Sequence, residues 1–193
     1  MKTLVFATHN PDKLKEINAK LGESFRLLSL TDLGCTTEIP ETADTFEGNA
    51  LLKAQFVWEN YQIDCFADDS GLEVEALGGK PGVHSARYAG EAKNYAANNA
   101  LLLKNLQNQT NRNAQFRTCL ALVWGGKPMF FNGIVKGTLL NAPKGSQGFG
   151  YDPLFVPTGE TRTFAEMTLP EKNSISHRAI AFQQLLDFLK QNI

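Results

Sequence analysis

Two adjacent aspartates close an apolar run in this chain, Cys65-Phe66-Ala67-Asp68-Asp69-Ser70-Gly71-Leu72. Apolar residues leading into a carboxylate pair and a Ser-Gly step read as a buried strand with acid groups at its C-terminal tip. That is where ligands bind in open α/β sheets. Two carboxylates there can hold a divalent cation, or one can hold it while the other takes a proton from water. The same residues also suit a turn after a strand, since Asp, Ser and Gly all favour turns.

Three further segments carry functional side chains. Thr8-His9-Asn10-Pro11-Asp12-Lys13 places a hydroxyl, an amide and a lysine at a helix start, as phosphate binding requires. A capped helix with a surface lysine satisfies the same pattern. Glu41 precedes a helix in which Asn49 and Lys53 share a face at i,i+4 spacing, either to reach a polyphosphate or as a solvated pair. The C-terminal set is Phe149-Gly150-Tyr151-Asp152-Pro153, Lys172 and Ser176-His177-Arg178. An aromatic beside glycine suits base stacking, because glycine lets a ring lie flat and close. Asp152, His177 and Arg178 are able to read a base edge. The alternative makes Ser176 a helix cap and His177 structural.

The elements that must position these groups alternate between strand and helix. Leu4–Ala7, Phe25–Leu30 and Ile63–Ala67 read as strands, with Gly71–Ala76 as a short further one. Lys13–Leu21, Phe46–Tyr61, Lys93–Leu106 and Ser176–Leu189 show helical spacing. Phe116–Trp124 and Met129–Gly137 form a hairpin at Gly125-Gly126. The class is α/β with a mixed sheet, and residues 1–193 form a single domain.

The chain has 193 residues, 42% hydrophobic and 20% charged, enough to bury a real core. A net charge of -1 supplies no global basic excess to attract nucleic acid or an anionic membrane, so neither partner is expected. The N-terminal apolar stretch is too short for a signal segment or a bilayer span. Cys35, Cys65 and Cys119 have no CxxC or zinc-type spacing, which points to a reduced, cytoplasmic setting.

Taken in order, several motifs coincide with one family. They are Thr8-x-Asn10-x-x-Lys13, Thr45-Phe46-x-x-Asn49-Ala50-x-x-Lys53, Ala67-Asp68-Asp69-Ser70-Gly71-Leu72, Pro81-Gly82-Val83-x-Ser85-Ala86-Arg87-Tyr88-Ala89-Gly90, Phe149-Gly150-Tyr151-Asp152-Pro153 and Ser176-His177-Arg178. The chain resembles the inosine triphosphate pyrophosphatase family, also called Ham1. The resemblance implies a long, curved, mixed sheet flanked by helices, with two lobes around a central cleft, and a homodimer. It implies Mg²⁺-dependent hydrolysis of ITP, dITP and XTP to monophosphate and pyrophosphate, which keeps deaminated purines out of DNA and RNA. Asp69 resembles the catalytic base, and Glu41, Asp68 and Asp69 the metal ligands. Thr8, His9, Asn10, Pro11, Asp12, Lys13, Lys53 and Ser70 would bind substrate. Phe149 would stack on the purine, with Gly150, Tyr151 and Asp152 lining the same site. Lys172, His177 and Arg178 would donate around the 6-oxo group. Two departures stand out: His84 replaces a usual aromatic, and Gly48 replaces a frequent glutamate, which leaves Glu41 as the upstream metal candidate. Two rival readings are a non-catalytic nucleotide- or RNA-binding module and a Maf-type pyrophosphatase.

Overall fold

A computed structural model of the chain describes residues 2–18, 25–90 and 94–192. The strands are β1 (Lys2–Phe6), β2 (Phe25–Ser29), β3 (Cys65–Val74), β4 (Asn113–Trp124), β5 (Lys127–Leu139) and β6 (Phe155–Pro157). The helices are α1 (Pro11–Asn18), α2 (Phe46–Tyr61), α3 (Tyr95–Asn105), α4 (Leu169–Ile175) and α5 (His177–Gln191). The six strands form one sheet in the order β2-β1-β3-β4-β5-β6. β1 runs parallel to both β2 and β3, and β6 runs antiparallel to β5, so the sheet is mixed.

The chain divides into two compact units, neither of them contiguous in sequence. The first comprises residues 1–69, 118–133 and 179–193, the second residues 70–117 and 134–178. β3, β4 and β5 each contribute residues to both.

In the first unit, strand alternation sorts the core into two layers. Leu4, Phe6, Phe66, Leu120 and Leu122 pack with Ile17 of α1 and with Phe182 and Leu185 of α5. Their neighbours Val5, Ala7, Cys65, Ala67, Ala121 and Val123 pack with Ala50, Ala54 and Val57 of α2. Successive strand residues project to opposite faces, so each strand is apolar on both. The second unit has its own core, in which Leu72, Val74, Leu102, Phe116, Tyr151, Phe155 and Phe164 meet. All three cysteines are buried, and burial pushes the Cys65 thiol up to about 12.

Several elements differ from the sequence expectation. The strand before the aspartates does not end at them: β3 runs through Asp68, Asp69, Ser70 and Gly71 to Val74, absorbing the short strand expected at Gly71–Ala76. Leu72 and Val74 are wholly buried in the second core, and that burial overrides the turn preference of Asp, Ser and Gly. It is β1 that ends early. It ends at Phe6, which pairs with Phe66 of β3, so the aspartates lie beyond the carboxyl end of β1. β6 and α4 were not anticipated. Ser176 closes α4, and the last helix begins one residue later, at His177. Leu21 and Lys93, expected at helix ends, fall outside the described residues. Among the described residues, no helix is long and apolar enough to cross a membrane.

Candidate active site

The two aspartates are adjacent in β3 and therefore project to opposite faces. Their partners follow that alternation. Asp68 Oδ1 accepts from Lys13 Nζ of α1 at 2.8 Å. Asp69 Oδ2 accepts from Asn49 Nδ2 of α2 at 3.1 Å. The division between the acids is thus built into the strand: one is held from the α1 side, the other from the α2 side. Asp68 is 1% exposed and Asp69 6%.

α2 presents a buried stripe of Phe46, Asn49, Ala50, Lys53, Ala54 and Val57 at helical spacing. Two members of that stripe, Asn49 and Lys53, are polar. They sit in its N-terminal half, while further along the helix Ala54 offers its carbonyl to the Cys65 thiol at 3.1 Å. Lys53 Nζ donates to Glu41 Oε1 at 2.5 Å. Burial alone would lower the Lys53 pKa, but Asp69, Glu41 and Asp68 outweigh it and raise it, so the ammonium stays charged. Asp69 goes the other way for a carboxylate. Burial pushes it up to about 6, against the pull of Lys53 and Lys13, with Glu41 adding repulsion. An acid poised near neutrality and close to two cations can exchange a proton at working pH.

The loop after β1 caps α1. Asn10 Oδ1 accepts from the Asp12 and Lys13 amides at 2.9 and 3.5 Å, and Thr8 Oγ1 accepts from the Asn10 amide at 3.1 Å. The local fold therefore presents a capped helix N-terminus with Lys13 pointing back at Asp68. His9, Pro11 and Asp12 are exposed, and His9 Nε2 lies 3.2 Å from the Thr37 carbonyl.

In the second unit, Phe149, Gly150, Tyr151 and Asp152 form a tight turn. Asp152 Oδ2 accepts from the Phe149 amide at 2.9 Å and from Lys172 Nζ at 2.7 Å. Gly148 is required there: a Cβ would stand 2.1 Å from Asp152 Oδ2, and its φ is +72°. Lys172 Nζ also lies 4.9 Å from the Phe149 ring centre, and the Arg178 guanidinium 5.6 Å. Arg178 Nη2 donates to Ser70 Oγ at 3.3 Å. His177 stacks flat on Phe116, 4.7 Å between centres. Lys172, His177 and Arg178 are all buried. Tyr151 is spent in the core. Its hydroxyl donates to the Ser85 carbonyl at 2.8 Å, and burial raises its pKa.

One residue with no role in the sequence reading also acts in the second unit. Asn99 of α3 donates to the Gly150 carbonyl at 3.0 Å, holding the turn from behind. Nothing in its spacing marked it. Asn49, expected on the face of Lys53, is buried in the α2 stripe and donates to Asp69.

Among the described residues, no group of three acidic, His or Cys side chains gathers closely enough to form a metal cage. Mg²⁺ does not ask for one. It takes one or two carboxylates and completes its shell with substrate phosphates and water. Glu41, Asp68 and Asp69 are hard oxygen donors of that kind, already facing ammonium groups, so the donor set fits the ion.

Comparison with known proteins places these features in context. The profile of the Ham1 family matches residues 4–188. The chain is 54% identical over 186 residues to the dITP/XTP pyrophosphatase of Flavobacterium johnsoniae, covering 96% of this chain and 97% of that protein. It is 54% identical over 190 residues to the dITP/XTP pyrophosphatase of Porphyromonas gingivalis, covering 98% of each. Among solved structures, the Ham1 protein of Staphylococcus aureus superposes with a TM-score of 0.91 at 36% identity, covering all of both chains.

Proposed function

The chain belongs to the Ham1 family, and on that footing we propose that it hydrolyses ITP, dITP and XTP to the monophosphate and pyrophosphate. The observation that carries the reading is Asp69: a buried carboxylate raised to about 6, set between Lys53, Lys13 and Glu41. Asp69 takes a proton from the water that attacks the α-phosphate. Lys13 and Lys53 exchange their present carboxylate partners for phosphate oxygens, and the α1 N-terminus with Thr8 and Asn10 adds amide and hydroxyl donors. When bound, Mg²⁺ would neutralise charge on the leaving pyrophosphate, held by Glu41, Asp68 and Asp69.

The base is read by residues of the second unit. Phe149 stacks on the purine. Lys172, His177 and Arg178 are donors, and a 6-oxo group accepts. Adenine presents a 6-amino donor instead, and each buried donor left without an acceptor costs on the order of 1–3 kcal/mol. That discriminates against ATP. We extend the proposal to a cytoplasmic homodimer that removes deaminated purine nucleotides before they enter DNA or RNA.

The test is a panel of ITP, XTP, dITP, ATP and GTP with Mg²⁺, assayed for pyrophosphate. The expected result is pyrophosphate from the oxopurines and little from ATP. Orthophosphate release would exclude this reaction, and equal turnover of ATP and ITP would exclude the base reading.

A further inference from the structure

The proposed reaction needs Asp69 held in register with the segment that carries Glu41, and the geometry points to a device for this in α2. We propose that Gly48 and Asn49 together form it, with Asn49 as the positioning residue. The proposal rests on the reaction assigned above.

The Asn49 side chain is 2% exposed and uses both ends of its amide. Nδ2 donates to Asp69 Oδ2 at 3.1 Å, and Oδ1 accepts from the Ala43 amide at 2.9 Å. The Ala43 N–H can only donate, which fixes the amide orientation and turns Nδ2 toward the carboxylate. One side chain thus ties the reacting acid to the backbone two residues beyond Glu41. One turn along the same face, Lys53 grips the Glu41 carboxylate. Without substrate, Asn49 and Lys53 hold the segment at two points, and Asn49 alone keeps it when Lys53 turns to phosphate.

Gly48 makes that approach possible. A Cβ at Gly48 would stand 2.6 Å from Ala43 Cβ and 3.0 Å from Thr45 Oγ1. Gly48 occupies the third position of α2, where its amide donates to the Thr45 cap at 3.1 Å. Helix propensity favours alanine or glutamate there over glycine. Glycine stands instead because Ala43 lies against the helix, with its Cβ over position 48 and its N–H on Asn49 Oδ1.

The experiment compares Asn49→Ala, Gly48→Ala and the double variant Ala43→Gly/Gly48→Ala. Steady-state rates on ITP and hydrogen exchange of the residue 43 amide are both measured. Asn49→Ala is expected to lower kcat about 100-fold, since a displacement of about 1 Å costs that much, and to change KM by no more than about threefold. Gly48→Ala is expected to lower kcat about tenfold although alanine is the better helix former. Both variants expose the residue 43 amide to exchange. Ala43→Gly removes the nearer of the two atoms that the new Cβ meets and leaves only Thr45 Oγ1 at 3.0 Å, so the double variant regains most of both rate and protection. Wild-type kcat in Gly48→Ala, or a loss that Ala43→Gly leaves unrepaired, overturns the device even if Asn49→Ala fails to fold. A wild-type protein inactive on every oxopurine triphosphate overturns the assigned reaction instead. Exchange at residue 43 then still decides whether the bridge exists.

Discussion

Lys172 Nζ lies 2.7 Å from Asp152 Oδ2, and the two side chains are only 4% and 3% exposed. A buried pair of this kind adds little over an apolar pair of the same shape, but removing one partner leaves a charge with nothing to balance it. Lys172→Met is therefore expected to cost roughly 3–5 kcal/mol, read by urea denaturation. Asp152 also holds the Phe149 amide, so the ratio of ITP to ATP turnover should fall in the same variant. An unchanged denaturation midpoint would show that Asp152 finds another partner.

Asp69 couples activity to stability through one pKa. Its folded value is about 6, against roughly 3.9 for an unfolded aspartate. The folded state holds the proton more tightly. The stability this contributes is full below the unfolded pKa and is lost as pH rises through the folded one. Above pH 6 the ionised carboxylate is a net cost of about 3 kcal/mol, at 1.36 per pKa unit. Asp69→Asn should consequently be the more stable protein at pH 8 without divalent ion, and its advantage should vanish near pH 4. Turnover should be nearly abolished in the same variant. Melting temperatures across that range check the first claim, and a variant no more stable than wild type at pH 8 contradicts it.

Tyr151 separates a bracing role from a base-reading one. Its hydroxyl is committed to the Ser85 carbonyl, and Ser85 Oγ in turn accepts from the Leu72 amide at 2.9 Å and donates to the Gly82 carbonyl at 2.6 Å. Tyr151→Phe leaves the Ser85 carbonyl without its buried donor. The expected loss is about 1–2 kcal/mol of stability, with kcat/KM on ITP within about twofold of wild type. A large fall in kcat/KM at unchanged stability would return Tyr151 to the substrate.

How much of this the chain declares in advance depends on where each signal originates. α2 is legible because Thr45 caps it and its buried stripe recurs at helical spacing from Phe46 to Val57. β3 reads as two strands around a turn, because the residues that hold it extended, Leu72 and Val74, answer to a core assembled from distant segments. β6 and α4 are three and seven residues long, too short for periodicity to register. Within the site, Asp69, Lys53 and the C-terminal donors are visible as residue types in motifs. The assignment of Asp68 to α1 and Asp69 to α2 needs the register of β3, which spacing alone does not supply. Asn99 is silent in sequence because its task is to hold a backbone carbonyl.

Lys53 gives the last prediction, because it acts on Asp69 without a hydrogen bond to it being required. Burial raises Asp69, and the Lys53 charge is the largest influence opposing that rise, ahead of Lys13. Removing it in Lys53→Met lets burial and the Glu41 charge act with less resistance, so the Asp69 pKa climbs further above about 6. The base is active when deprotonated. The acid limb of kcat/KM against pH, expected near 6 in wild type, should move to higher pH in the variant, on top of a lower plateau from the lost phosphate contact. Glu41→Gln should move the limb the opposite way, since it removes a like charge. A pH profile of the three proteins on ITP reads both displacements. A limb that stays in place, whatever happens to the plateau, would mean that the titrating group is not Asp69.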